Sequence, residues 1–434
     1  VALVTRRWNE VGRSVSRAAV RAPALQFREG AGKIELDEAP ERRQPTPGGS
    51  ALTAKRMNRR LQAAFALIVA GGSVLSASVH AQQPGEPVKI GVILALTGAG
   101  AGLGIPERNG AVLAEKIINS SGGIDGRPIQ LIIEDDGSNP DGAISKANNL
   151  IYREKVSALI GSSQTASTVA IGGLSDPLKM PQIAMSGLGP AIERDRKCVL
   201  HIAPSQALNA RAILEYASSI GARKLGAMYD SGYGTVVYNE LRQLSDAYGI
   251  AFVATEKFEI SATDTTSQAA KIRAAQPDAI VVVGVTGVPI RSLRQLQMKQ
   301  TIIAANGLAS YEAVKSMGDA ADNVVFPEFL VGEDPLPHQA EFVRLFHKEY
   351  GRFPKILEAL GWDAVHVIRS AFKKAGVGAA NEKLCEAIRS PFKGDMTNYD
   401  FSSDDLNGIK LSNVVFSKLV GGQFTRLSFQ AKEQ

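Results

Sequence analysis

The segment Gly98-Ala99-Gly100-Ala101-Gly102-Leu103-Gly104 stands where a nucleotide-binding loop would stand, after an apolar run and ahead of a helical one. A dinucleotide fingerprint needs glycines spaced G-x-G-x-x-G, and no three glycines here fit that spacing. What remains is a flexible loop whose backbone N–H groups at a helix start suit an anionic or polar ligand. No P-loop, G-x-S-x-G or H-E-x-x-H motif occurs. The five histidines, His80, His201, His338, His347 and His366, never recur at i, i+3 or i, i+4 spacing, so no zinc site is expected. Glu134-Asp135-Asp136 ends a strand-like run, and with Asn139-Pro140 close behind it reads as a capped turn rather than a metal cluster. The two cysteines, Cys198 and Cys385, either pair in an oxidising compartment or stay as separate buried thiols. No cofactor and no enzymatic activity are expected.

What the sequence does offer is small polar residues at the ends of successive strand-like runs: Ser162-Ser163-Gln164-Thr165, Ser186-Gly187-Leu188-Gly189, Asp230-Ser231-Gly232-Tyr233-Gly234, Gly284 to Gly287, and Asn306-Gly307. In open α/β sheets, ligands bind beyond the carboxyl ends of the strands. Hydroxyls, amides and helix starts gathered there suit a small carboxylate or polar solute.

The elements that must carry these loops follow from alternating patterns. Strands are expected at 88–94, 129–133, 156–160 and 182–185, with helices at 106–120, 141–153 and 165–174 between them. The rhythm pauses near 199–204. It then restarts with helices at 207–219, 234–248, 267–275 and 289–298 and strands at 224–229, 252–255, 279–283 and 301–304. Two such series predict two doubly wound parallel-sheet lobes, α/β in class. After an extended run at 324–331 come helices at 340–350, 356–375 and 381–388. A hairpin of 409–416 and 423–429 around Gly421-Gly422 closes the chain. Such a tail predicts several crossings between lobes, which make a hinge.

The chain has 434 residues, 49 Lys+Arg and 43 Asp+Glu, formally +6. Residues 1–81 hold 13 basic and 6 acidic residues, and residues 82–434 carry a net charge of −1, so the basic character belongs to the first fifth. Residues 1–56 read as a disordered or untranslated extension. From Met57 the pattern is a basic start with Arg59 and Arg60, an uncharged run from Leu61 to Leu75, and small residues Val79 and Ala81 before Gln82. That is the plan of a secretory signal peptide spanning 57–81, and its apolar run is shorter than the ~20 residues of a membrane span. Cleavage after Ala81 would leave a near-neutral periplasmic protein, and the case for nucleic-acid binding disappears with the leader.

Several motifs in order carry a resemblance. Ile90-Gly91-Val92 through Leu96-Thr97-Gly98, Ile118-Asn119 before Gly122-Gly123-Ile124-Asp125-Gly126, Asp135-Asp136 and Pro140 come first. Ala158-Leu159-Ile160-Gly161, Gln276-Pro277-Asp278-Ala279 and Gly361-Trp362-Asp363-Ala364 follow. Over nearly all of 88–430 the chain resembles the leucine/isoleucine/valine-binding class of ABC-transporter solute receptors. The resemblance implies a type I periplasmic binding fold that closes on a ligand by hinge motion and delivers it to an inner-membrane permease, as a monomer. It implies a first lobe of 88–203 with about 330–400, and a second of 204–329 with about 401–434.

By the same resemblance, Thr165 beside Gln164 holds the ligand carboxylate, and Ser186 and Leu188 lie in a loop giving backbone contacts. Leu103 sits where an aromatic is frequent. Tyr233 matches a cleft tyrosine of the second lobe, and Gly287 is near a position where amino-acid binders place a tyrosine. Two positions depart from the class: Asn306 and Ser205-Gln206 stand where it commonly has a carboxylate to meet the ligand's ammonium. An amide supplies no counter-charge, and a buried unpaired ammonium costs several kcal/mol. An aromatic or oxo acid is therefore an expected ligand beside an amino acid, with Asp230 or Glu312 as alternative sources of the charge. Rival readings are a periplasmic sensor serving a signalling partner, a DNA-binding regulator, and a Rossmann-like enzyme, whose fingerprint and catalytic pair are lacking.

Overall fold

In the computed structural model, residues 85–403 and 406–432 are described. The extension and signal-peptide readings fall outside them. The first series is β1 (Val88–Leu94), α1 (Ala101–Ser120), β2 (Ile129–Asp135), α2 (Pro140–Asn148), β3 (Leu159–Gly161), α3 (Thr165–Ser175), β4 (Gln182–Ala184), α4 (Pro190–Asp195) and β5 (Val199–His201). Its five strands form one parallel sheet in the order β2-β1-β3-β4-β5. The second series is α5 (Gln206–Ser219), β6 (Lys224–Asp230), α6 (Tyr233–Leu244), β7 (Ala251–Phe258), α7 (Thr266–Ala274), β8 (Ala279–Val283), α8 (Val288–Gln295), β9 (Thr301–Ala304), α9 (Tyr311–Met317) and β10 (Val324–Glu328). The chain ends with α10 (Ala340–Tyr350), α11 (Ile356–Ala375), α12 (Asn381–Ile388), the short pair β11 (Phe392–Lys393) and β12 (Asn398–Tyr399), and the hairpin β13 (Val415–Val420) and β14 (Gln423–Arg426). The second sheet runs β14-β13-β10-β9-β8-β6-β7, parallel from β6 to β10 with β13 and β14 antiparallel at one edge.

The central strands are apolar runs covered on both faces, as parallel strands under helices must be. Ile90, Val92, Ile93 and Leu94 are buried in one sheet, and Ala279 to Val283 in the other. In each sheet the first strand lies between the second and third, which puts a topological switch point between β1 and β3 and another between β6 and β8.

The chain leaves the first sheet after β5 and returns after β10, where α11 packs along α1. A Cβ on Gly110 would lie 1.9 Å from the Glu358 carbonyl oxygen, and one on Gly361 would lie 1.9 Å from that of Glu107. Two reciprocal glycines thus let the helix backbones touch. The chain crosses again into β13. A buried ion pair, Lys355 Nζ to Glu328 Oε2 at 2.7 Å, ties the end of β10 to the start of α11. The Ser417 hydroxyl donates to Glu328 Oε1, and the Lys355 ammonium lies 3.4 Å from the Phe424 ring centre. These are two lobes joined by a multi-crossing hinge.

Several boundaries differ from the sequence-based expectation. α1 begins at Ala101, five residues early, with Pro106 inside it. Gly104 permits this, because a Cβ there would lie 2.3 Å from the Ala95 carbonyl oxygen. So Gly102, Leu103 and Gly104 are helical rather than a loop. The pause near 199–204 hides β5, three buried residues too short to show a period. α4 and α9 were likewise not expected. The expected helix 141–153 is α2 followed by a π-helical turn, Asn149–Glu154. The first strand of the final hairpin is 415–420 rather than 409–416. Cys198 and Cys385 form a disulfide that staples the start of β5 to α12.

Candidate functional site

At the first switch point the loops after β1 and β3 are sewn together by side chains. Ser163 Oγ accepts from the Ala95 N–H at 3.1 Å and donates to Glu107 Oε2 at 2.6 Å. Ser162 Oγ donates to Asp136 Oδ2 at 2.5 Å, and the Ser162 N–H donates to Thr168 Oγ1 at 3.0 Å. Ser162, Ser163, Asp136 and Glu107 are all buried. Burial above all, with the negative charges of Asp136 and Glu358 adding to it, pushes the Glu107 carboxyl well above its ordinary range, against the hydrogen bond from Ser163. Two of the hydroxyls that the sequence offered for ligand binding are therefore scaffold.

The acidic run 134–136 is structural as well. Asp135 Oδ1 accepts from the Leu96, Thr97 and Gly137 amides, and its Oδ2 from the Thr97 hydroxyl at 2.6 Å. Desolvation pushes this carboxyl up, but the hydrogen bonds from Thr97, Gly137 and Leu96 outweigh it and hold the group below its usual range. Glu134 pairs with Lys146 at 2.7 Å.

The hydroxyl left at the open end of the first lobe is Thr165, exposed in the first turn of α3. It donates to the Gly187 carbonyl at 3.2 Å. Gln164 is the residue before that helix, close enough to Gly100 that a Cβ there would lie 3.2 Å from Gln164 Cδ. Ser186 is held by its hydroxyl, 3.1 Å from Thr168 Oγ1. The Leu188 side chain is buried against Ala184 and Val199, so it offers the cleft only backbone. Leu103, half-buried on the first turn of α1, packs on the main core.

The helix that follows the first crossing joins the two walls. Ser205 caps α5 by accepting from the Leu208 N–H at 3.2 Å. Gln206, one residue on, donates through Nε2 to the same Gly187 carbonyl at 3.4 Å. Asn209, three positions later on the same helical face, points Nδ2 at the Tyr233 hydroxyl, 3.5 Å away. Tyr233 donates in turn to Asn306 Oδ1 at 3.1 Å. Burial, then the nearby Asp230 charge, raises the Tyr233 phenol above its usual range, so it stays protonated.

The second switch point is closed by one carboxylate. Asp230 accepts from the Gly232 N–H at 2.9 Å, the Gly234 N–H at 2.7 Å and the Val285 N–H at 2.9 Å. Fully buried and so occupied, it is a turn anchor and not a free counter-charge. Glu312, the other alternative, has its side chain outside the described residues. Gly287 is buried at the start of α8, and a Cβ there would lie 2.1 Å from Met317 Cγ, so the position has no room for an added side chain.

The structure thus brings together Thr165, Ser186 and Gln206 around Gly187, and Tyr233 with Asn306. Leu103, Leu188 and Gly287 make no hydrogen-bonded contact with either group among the described residues. Asn209 was missed by sequence reasoning; its only signal there was a carboxamide among Leu208, Ala210 and Ala212 on a helix that turns out buried. Two cavities lie elsewhere. One of about 360 Å³ adjoins the hinge segments near Thr397, Ser412 and Phe429, and one of about 570 Å³ runs along α2 near Lys146 and Tyr152. No group of three or more metal-ligating side chains occurs among the described residues, nor does any helix long and apolar enough to cross a membrane.

Known proteins share this architecture. The chain is 25% identical over 363 residues to Leu/Ile/Val-binding protein homolog 7 of Brucella abortus, covering 75% of this chain and 90% of that one. It is 23% identical over 366 residues to a leucine-, isoleucine-, valine-, threonine- and alanine-binding protein of Pseudomonas aeruginosa, covering 80% and 96%. In fold it is similar to the substrate-binding protein LivJ of Streptococcus pneumoniae, solved with isoleucine (TM-score 0.71, 24% identity, 79% of this chain and 100% of that one). It is also similar to a solute-binding protein of a Rhodopseudomonas palustris ABC transporter, solved with benzoate (TM-score 0.70, 20% identity, 80% and 98%). The model of the periplasmic binding protein family matches residues 87–407, most of the chain. With two lobes joined by several crossings and the family model matching most of its length, this chain belongs to the periplasmic binding protein family, whose members named here are receptors and not enzymes.

Proposed function

We propose that this protein is the exported, periplasmic receptor of an ABC importer, and that it closes on a small carboxylate lacking an amine, such as an aromatic or oxo acid. The observation that carries the reading is that the buried acids of both walls are already engaged by the protein's own donors. Asp136 and Glu107 are engaged by serine hydroxyls, and Asp230 by three backbone amides. Thr165, Gln206, Tyr233 and Asn306 are left to meet the ligand. Neutral donors and the start of a helix hold a carboxylate well. An ammonium would be desolvated there without a partner. The ligands of two structural neighbours, isoleucine and benzoate, bracket this choice.

In this reading the first lobe is 88–203 with about 330–400, and the second is 204–329 with about 401–434. The ligand carboxylate sits at Thr165 and the loop of Ser186. Closure brings the Tyr233–Asn306 wall onto the far end of the ligand. Because the ligand touches both walls only when closed, binding shifts the hinge equilibrium, and the closed form is the one delivered to the permease. Calorimetric titration with benzoate, 2-oxoisocaproate, leucine and valine tests the assignment. The acids without an amine are expected to bind at least tenfold tighter than leucine, a difference of about 1.4 kcal/mol. Leucine binding as tightly as the acids would overturn it.

A further inference from the structure

We propose that Asn209 sets the hydrogen-bond polarity of the second-lobe wall, so that Asn306 shows its NH2 rather than its carbonyl to the ligand. The inference rests on the reading of this wall as part of the cleft. Asn209 is 4% exposed on α5, one turn beyond Gln206. A phenol has one proton to give. Asn209 Nδ2 approaches the Tyr233 oxygen at 3.5 Å as a donor, and the phenol proton goes to Asn306 Oδ1 at 3.1 Å. With its oxygen taken, the half-buried Asn306 amide has its NH2 left, and that group has no partner among the described residues. The direction of the series follows from its buried end, where Asn209 turns its Nδ2 toward the phenol oxygen. Asn209 is therefore a positioning residue: it acts on the ligand only through Tyr233 and Asn306, and it makes the wall a donor that suits a carbonyl or carboxylate oxygen.

Reversing the buried end reverses the wall. In Asn209→Asp at pH 7.5 the new carboxylate only accepts. Tyr233 then donates to it, the phenol oxygen accepts from the Asn306 NH2, and the Asn306 carbonyl turns outward. Two measurements decide the matter, both on the full chain.

The first needs no ligand. The Asn306 side-chain amide is assigned in a 15N correlation spectrum by its loss in Asn306→Asp, and its hydrogen exchange is followed. Exchange is expected to slow in Asn209→Asp, and that slowing should vanish when Tyr233→Phe is added. Unchanged exchange overturns the proposal, whatever the ligand is. The second is the ratio of leucine to benzoate affinity. It is expected to rise about tenfold or more in Asn209→Asp, since each reversed contact changes a hydrogen bond by on the order of 1 kcal/mol. Asn209→Leu, which removes the donor without supplying an acceptor, is expected to leave the ratio between wild type and Asn209→Asp. Equal weakening of both ligands in both variants marks a packing residue only and sinks the proposal. Reoriented exchange in a protein that binds neither probe supports the relay and refutes the cleft assignment instead.

Discussion

The two switch points give their buried acids different partners, although the half-buried Asp135 of the first lobe also accepts from backbone amides. In the first lobe, hydroxyls donate to buried acids: Ser163 to Glu107 and Ser162 to Asp136. In the second, backbone amides converge on one acid, Asp230. Burial above all, with the nearby Asp136 charge adding to it, raises the proton affinity of Glu107. The single carboxylate of Asp230 instead has three backbone N–H donors converging on it. The shared result is that all three acids are buried and engaged. The lesson for specificity is that acidic residues clustered at strand ends in sequence can all be engaged by the protein's own donors in space.

Removing the Asp230 anchor should give the largest effect. Asp230→Ala leaves three loop amides without their acceptor, and at 1–3 kcal/mol per unsatisfied buried group a loss of about 4 kcal/mol is expected. Chemical denaturation followed at Tyr233 or Tyr229 would show it. A change below 1 kcal/mol would mean that water replaces the carboxylate and that the contrast between the lobes is weaker than drawn.

The disulfide sharpens the same contrast from the other side. Both cysteines of the chain lie in the first lobe, linking residues 187 apart. Cys198→Ser with Cys385→Ser is expected to destabilise by about 3 kcal/mol. The loss should fall on the β4–β5 edge and α12 and leave β6–β9 untouched. Hydrogen exchange resolved by segment checks this, and uniform loss across both sheets would show that the lobes unfold as one unit.

Thr165→Val tests whether the first wall holds the ligand carboxylate. Loss of one hydroxyl contact should weaken an acid ligand about tenfold, with little change in the stability of the free protein, because the side chain is exposed and among the described residues bonds only the Gly187 carbonyl.

Much of this was legible in the residues. The strands β1, β8 and β9 are largely apolar runs bounded by turn residues, and α10, α11 and α12 have clear periods, so their limits match those expected from the sequence. The loops at the strand ends were equally visible as small polar clusters. What was hidden is which members of a cluster are engaged. Ser162, Ser163 and Thr165 are adjacent hydroxyls, yet two are buried on acids 26 and 56 residues away. Only three-dimensional proximity distinguishes them. Gly287 looked like a ligand position because of its register, but its character comes from Met317, 30 residues on. Asn209 was invisible for the converse reason: on a helix it is one polar residue among many, and its meaning depends on Tyr233 and Asn306 reaching it from two other loops. Short elements such as β5 fail for lack of length, since three residues carry no period.

The smallest effect on stability at neutral pH is the most discriminating. Glu107→Gln keeps the shape of the carboxyl and removes a charge that burial, Asp136 and Glu358 all disfavour. A raised carboxyl pKa means the folded protein holds its proton more tightly than the unfolded chain does. That contribution is fully present below the unfolded value of 4.5 and is lost as pH rises toward the folded one. The wild type should therefore lose stability across this window on account of Glu107, and the glutamine variant should lose less. At pH 7 the variant is expected to be equal to wild type or more stable by about 1 kcal/mol, because a neutral amide in place of a disfavoured buried charge leaves no unpaired ion. Asp230→Asn, the matching substitution in the other lobe, should behave in the opposite way and be destabilised at the same pH, since the amide keeps one carbonyl oxygen for three amide donors. Melting temperatures of both variants from pH 4 to 8 set the two switch points side by side. If Glu107→Gln is as damaging as Asp230→Asn at pH 7, the Glu107 carboxylate anchors its loop as the Asp230 side chain does, and the contrast between the two switch points falls.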